Sequence, residues 1–170
     1  MVMKRIFPLV LITLGLLLSV AAVGQLYLNN RASSPNTINL PKRLAGLSLT
    51  ETQIGSDAIS EFADLHGKEF PVVSGAIGIY GDRQITLWIA GTQSESIALE
   101  MTNAMQSKIA QGNSPFTPVN EIKDRSRKIY VLEGMGQKHY YFQFKNMVIW
   151  LAVDPTLADE ALQQILEVYS

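Results

Sequence analysis

The sequence predicts an α+β domain carried behind an N-terminal transmembrane helix, and three observations predict it. An uncharged apolar run opens the chain, strand-like stretches recur five times with period-two alternation in the first two, and helical periodicity recurs in three others. The expected order after the membrane segment is α-β-β-α-β-β-β-α, an antiparallel sheet of about five strands with helices packed mainly on one face. Residues 1–28 read as a membrane anchor, 29–39 as a flexible tether, and 40–170 as a single extracytoplasmic domain.

The leader comes first. Between Ile6 and Val23 no side chain is charged, and Leu26, Tyr27 and Leu28 prolong the run. A helix rising about 1.5 Å per residue needs roughly 20 such residues to cross the hydrocarbon. Ile6, Leu11, Leu14, Leu16, Leu17, Leu18 and Val20 supply the lipid-facing bulk, and Tyr27 supplies the interfacial ring. Pro8 falls in the first turn, where no helical hydrogen bond is lost. Lys4 and Arg5 precede the run, so the N-terminus is expected in the cytoplasm and the domain outside. Cleavage after the small residues Ala22-Val23-Gly24, with secretion of the domain, is the alternative. The persistence of apolar residues past that point favours the uncleaved, single-pass form.

Composition narrows the classes further. The chain has no cysteine, which excludes thiol catalysis, disulfides and a lipid-modified cysteine. Two of the 14 basic residues, Lys4 and Arg5, belong to the leader, so 12 face 15 acidic residues in the remainder. That mildly acidic balance argues against nucleic acid and against adhesion to anionic lipid. The tether is rich in Asn, Ser and Pro.

Along the exported part, residues 40–50 alternate irregularly around Pro41 and Gly46, with Leu44, Leu47 and Leu49 able to dock on a core edge. Ser56 opens a short helix through Ile59, Phe62, Ala63 and Leu65 that Gly67 closes. Residues 70–80 and 84–90 form a hairpin about Gly81-Asp82, the glycines of the first strand leaving room for something packed close. Thr92 and Glu95 make a capping box for a helix whose stripe is Ile97, Met101, Ala104, Met105 and Ile109. Residues 113–120 read as a loop held by Pro115 and Pro118. Strands follow at 128–133, 138–144 and 147–153, joined by tight turns at Gly134-Met135-Gly136 and Lys145-Asn146. Asp154 and Pro155 then start a final helix with Leu157, Ala158, Ala161, Leu162, Ile165 and Leu166 on its apolar face. This order of elements is similar to that of the roadblock/longin-like group of small domains. The resemblance implies a binding or dimerisation module.

Candidate chemistry is sparse. The two histidines, His66 and His139, would need Asp64 or Glu69 beside them to hold zinc, and their spacing gives no such ligand pattern. No G-x-S-x-G elbow is present, and Gly134-Met135-Gly136 lacks the lysine and following helix of a phosphate loop. No catalytic residue, metal or cofactor is therefore assigned. The dense aromatic stretch is the candidate binding region: His139, Tyr140, Tyr141, Phe142 and Trp150 on adjacent strands, with Phe116 in its proline-flanked loop. With helices on one face only, one set of these rings would lie on the open face and meet a peptide, glycan or partner. The plainer reading is cross-strand pairing and, for Phe116, a plug over the core.

The functional expectation is a non-enzymatic binding or interaction module of the cell envelope. It would contact the lipid bilayer through residues 6–28 and a protein partner through the domain. Two alternatives differ in class: a carrier of a small apolar ligand between helices and sheet, and an enzyme using His139 and its neighbouring tyrosines.

Overall fold

The computed structural model of the chain describes residues 38–66, 71–112 and 114–170. The predicted anchor, from Ile6 to Leu28, residues 29–37 of the tether and the helix stop at Gly67 lie outside the described residues. Among the described residues no helix is long and apolar enough to cross a membrane.

The described elements run β1 (Arg43–Leu44), β2 (Leu47–Ile54), α1 (Ser56–His66), β3 (Val72–Tyr80), β4 (Ile85–Thr92) and α2 (Glu95–Ala110). They continue as β5 (Thr117–Asp124), β6 (Arg127–Gly134), β7 (Gln137–Phe144), β8 (Met147–Val153), a 3-10 turn (Pro155–Leu157) and α3 (Ala158–Val168). All strands join one antiparallel sheet of eight, ordered β1-β2-β3-β4-β8-β7-β6-β5. Strands β1–β4 and β5–β8 form two halves that meet along β4 and β8, where Trp88 lies opposite Trp150.

The class is α+β and the sheet antiparallel, but it has eight strands rather than about five. Two of the three unanticipated strands share a physical cause, and the third, β1, is only two residues long. In β2 beyond Leu49 and throughout β5 almost every residue is exposed, so neither stretch carries the apolar alternation that a half-buried strand shows. Pro118 also reads as a break, yet it sits at a register shift on the outermost strand, where a missing N–H costs no ladder bond. With the added strands, the likeness to the roadblock/longin-like element order lapses.

The helices also cover both faces rather than one. On one face α3 sets Ala161, Leu162 and Ile165 against Leu87, Ile89, Phe142, Ile149 and Leu151. On the other, α1 places Ala58 and Phe62 on Ile77 and Trp88, while α2 places Met105 and Ile109 on Tyr130, Leu132, Tyr141 and Trp150. The strands feeding both layers are apolar on each side, which is why β8 reads as an unbroken run from Met147 to Val153.

Local signals are displaced by a few residues. The N-cap of α2 is Ser94, whose hydroxyl accepts from the Ile97 N–H, and not Thr92. The buried positions of α2 are Ala98, Thr102 and Ile109, a stripe rotated from the expected one. Thr92 instead ends β4. Its N–H donates to the Asn146 carbonyl at 2.8 Å, and the Asn146 amide donates back to the Thr92 carbonyl at 2.8 Å. This buried exchange ties the β7–β8 turn to β4 and fixes the β4–β8 register. Asp154 gives no side-chain cap, and Pro155 begins the 3-10 turn ahead of α3.

The thinned strand β3 is explained by its neighbours. A Cβ on Gly75 would stand 2.9 Å from the Phe62 ring and 3.1 Å from Ala58. Gly75→Ala is therefore expected to push α1 off the sheet and to cost about 1–3 kcal/mol as overpacking. Combining it with Phe62→Leu should return part of the loss in urea unfolding. Equal loss in the single and double variants would contradict the contact.

Candidate functional site

The aromatic residues singled out from the sequence come together, but inside the protein. Because direct neighbours in an antiparallel ladder share a face, the register sets Tyr130 opposite Tyr141 and Tyr141 opposite Trp150. The three rings form a near-parallel stack across β6, β7 and β8, with centroids 4.6 and 5.2 Å apart. His139 lies one pleat along β7 on the same face. Phe116 closes over it, 4.7 Å from the imidazole and 5.1 Å from the Trp150 ring.

Gly134 makes that closure possible. A Cβ there would fall 2.6 Å from the Pro115 carbonyl oxygen and 2.8 Å from the Phe116 ring. The loop before β5 thus rests on bare backbone, and Phe116 acts as the plug over this layer.

Tyr140 and Phe142 point the opposite way, into the α3 layer. Of the six candidate binding residues, His139, Tyr140, Tyr141 and Phe142 are buried, while Phe116 and Trp150 are half-buried. The open sheet face on which the recognition reading depended is covered by α1 and α2 on one side and α3 on the other.

The partners of His139 fix its chemistry. The Trp150 Nε1–H can only donate, and it lies 3.2 Å from His139 Nδ1. The Gly134 carbonyl can only accept, and it lies 3.0 Å from Nε2. The ring is therefore neutral, with its proton on Nε2. Burial pushes its pKa down, partly opposed by the hydrogen bond to Gly134. Its ring nitrogens meet an indole and a carbonyl rather than a carboxylate, so the dyad that an enzyme reading asks for is not formed at this histidine.

This geometry makes stability depend on pH. The unfolded histidine takes up a proton near pH 6.5, whereas the folded ring resists it to lower pH. Stability is then fully present above about 6.5 and falls as pH drops below that value, until the folded ring itself titrates. The slope contributed by this single site is at most about 1.4 kcal/mol per pH unit. Urea unfolding between pH 7.5 and 5 should show that component, and His139→Gln should remove it. An unchanged slope in the variant would refute the assignment.

The other sequence candidates scatter. His66 Nδ1 lies 2.8 Å from the Phe62 carbonyl, at the end of α1. Among the described residues no group of three His, Cys, Asp or Glu side chains could hold a metal ion. The space that a carrier would need at the β3 glycines is taken by the chain itself, by Phe62 and Ala58 at Gly75 and by Leu40 and Leu49 at Gly78. An open cleft of about 380 Å³ lies between the β5–β6 turn and α3, lined by Leu162 and Leu166 together with charged side chains including Asp124, Arg125, Arg127 and Glu167.

Two features escape the sequence reading. Tyr130 falls on an expected strand but outside the aromatic group, and only the β6–β7 register reveals it as the end of the stack. The exposed edge strand β5, with Glu121, Ile122 and Lys123, carries no apolar alternation to mark it. The chain matches no protein-family model, and comparison with curated proteins and with solved structures finds no significant match.

Proposed function

We propose that the described domain is a non-enzymatic interaction module, held on the outer side of a membrane by the apolar segment at residues 6–28. One observation carries the reading. Both faces of the sheet are covered, yet its margins are exposed: all of β5 up to Asp124, and β2 from Thr50 onward, where β1 no longer pairs. Unpaired strand margins present rows of backbone donors and acceptors, which is how sheets recruit extended partners. The charge pattern of the leader and the cysteine-free composition support the location.

Protease added to intact cells, or to spheroplasts where an outer membrane intervenes, should digest the domain of the full chain and leave a short membrane-embedded N-terminal fragment. Cross-linking from single cysteines placed along β5 or β2 should capture protein, whereas cysteines on the exposed side of α2 should not. Protection of the domain in intact spheroplasts, or capture from α2 alone, would defeat the proposal.

A further inference from the structure

We infer that β5 pairs antiparallel with β5 of a second copy of this chain, about a two-fold axis through Ile122, extending the sheet across a dimer. The inference deepens the interaction-module reading by naming the partner of one margin.

β5 is the last strand of the sheet, and among the described residues nothing pairs with its outer side. Its ladder to β6 shifts register between Pro118 and Asn120, and then runs without interruption from Asn120 to Asp124 before the turn. Only these five residues form a regular edge. Antiparallel pairing of two copies in one continuous sheet requires an axis perpendicular to it, passing through a residue opposite its own copy.

Three centres are possible within the regular stretch without leaving most of it unpaired. Centring on Glu121 sets glutamate against glutamate, and centring on Lys123 sets lysine against lysine. Centring on Ile122 uses all five residues and places Glu121 opposite Lys123 twice, Asn120 opposite Asp124 twice, and Ile122 opposite itself. Opposite charges directly across a ladder stabilise it and like charges oppose it.

The pairing within the chain leaves a need for this neighbour. On its inner side Lys123 lies directly opposite Lys128, and Lys128 is satisfied by Glu121 at 3.0 Å. Lys123 makes no ion pair among the described residues, and the partner's Glu121 would stand where one is wanted. Ile122 is an exposed aliphatic side chain whose inner neighbour Ile129 is fully buried, so a second Ile122 continues the same apolar layer.

A five-residue strand pair buries less than the roughly 1,200 Å² of stable complexes. The dimer should therefore be weak in dilute solution and favoured by confinement to a membrane.

The test uses the full chain in membranes, to which cysteine can be added singly because it has none of its own. Ile122→Cys should form a disulfide-linked dimer under mild oxidation, and Thr52→Cys on the β2 margin should not. Adding Lys123→Glu, or separately Glu121→Lys, to the Ile122→Cys chain should lower the linked fraction about tenfold. Co-expressing the two charge variants with different tags should restore a mixed dimer, because every charged pair is then complementary again. Equal linking at both margins, insensitivity to charge reversal, or no rescue on mixing would overturn the inference. Linking of the Ile122→Cys chain to a different protein would overturn it too, while leaving the interaction-module reading intact.

Discussion

Tyr141→Ala is expected to remove about 3–5 kcal/mol of folding stability, the largest single effect considered for this fold. The side chain is only 1 % exposed and is flanked on both sides by parallel rings. Its loss therefore leaves a cavity and also ends two stacking contacts, each worth about 0.5–1.5 kcal/mol beyond area. Relaxation into the gap is limited, because Tyr130 and Trp150 are held by their own strands and Trp150 is also anchored to His139. Against a typical total of about 5–15 kcal/mol, such a loss brings the domain near its folding threshold. Tyr141→Phe keeps the stack and should cost about 1 kcal/mol or less. Urea unfolding followed by tryptophan fluorescence measures both, since Trp150 lies against the altered ring. Equal losses for the two variants would locate the stabilisation in the hydroxyl and refute the stacking account.

The same residues show what is legible before any coordinates. Alternation at 85–89, aromatic density at 138–144 and an unbroken apolar run at 147–153 locate β4, β7 and β8, because these strands are buried and their patterns are written by the core. The β6–β7 turn is equally readable: Met135 and Gly136 both take positive φ, as a two-residue hairpin turn demands. β2 beyond Leu49 and β5 are not readable. A strand exposed on both sides owes its conformation to ladder hydrogen bonds with β3 and β6, and backbone pairing leaves no trace in side-chain identity. The placement of α3 is equally hidden, since the amphipathic stripe of Ala161, Leu162 and Ile165 states that one face is buried and not against which side of the sheet. That missing sign turns the aromatic group from an expected surface into an interior. Burial of both sets follows once helices lie on both faces, and the polar tip of His139 then needs Trp150 and Gly134 to satisfy it. The charged pattern of β5 is on view throughout; its meaning depends on knowing that the strand is outermost.

Arg127→Ala is expected to cost about 2–4 kcal/mol, because one guanidinium serves three acceptors in two separate parts of the chain, two at the end of α3 and one on β5. The side chain is 12 % exposed and donates to the Leu166 carbonyl at 3.3 Å, to the Tyr169 carbonyl, and to the Asp124 carboxylate at 2.5 Å. It also lies over the rings of Phe142 and Phe144, 5.7 and 5.8 Å from their centroids. The last carbonyls of a helix have no donors within it, and α3 carries no basic residue in its own last turn. Arg127 supplies from β6 what α3 lacks. The ion pair is the smaller share, since Asp124 is 30 % exposed and partly screened. Asp124→Asn should thus cost about 1 kcal/mol or less. Lysine is a compact charge that cannot span the three acceptors, so Arg127→Lys should recover less than half of the alanine loss. Hydrogen exchange separates this clamp from a general loss of stability: the last turn of α3 and the β5–β6 turn should accelerate together, ahead of β4 and β8. Uniform acceleration across the sheet, or full recovery by lysine, would show that Arg127 acts as buried bulk and not as the link between helix end and hairpin.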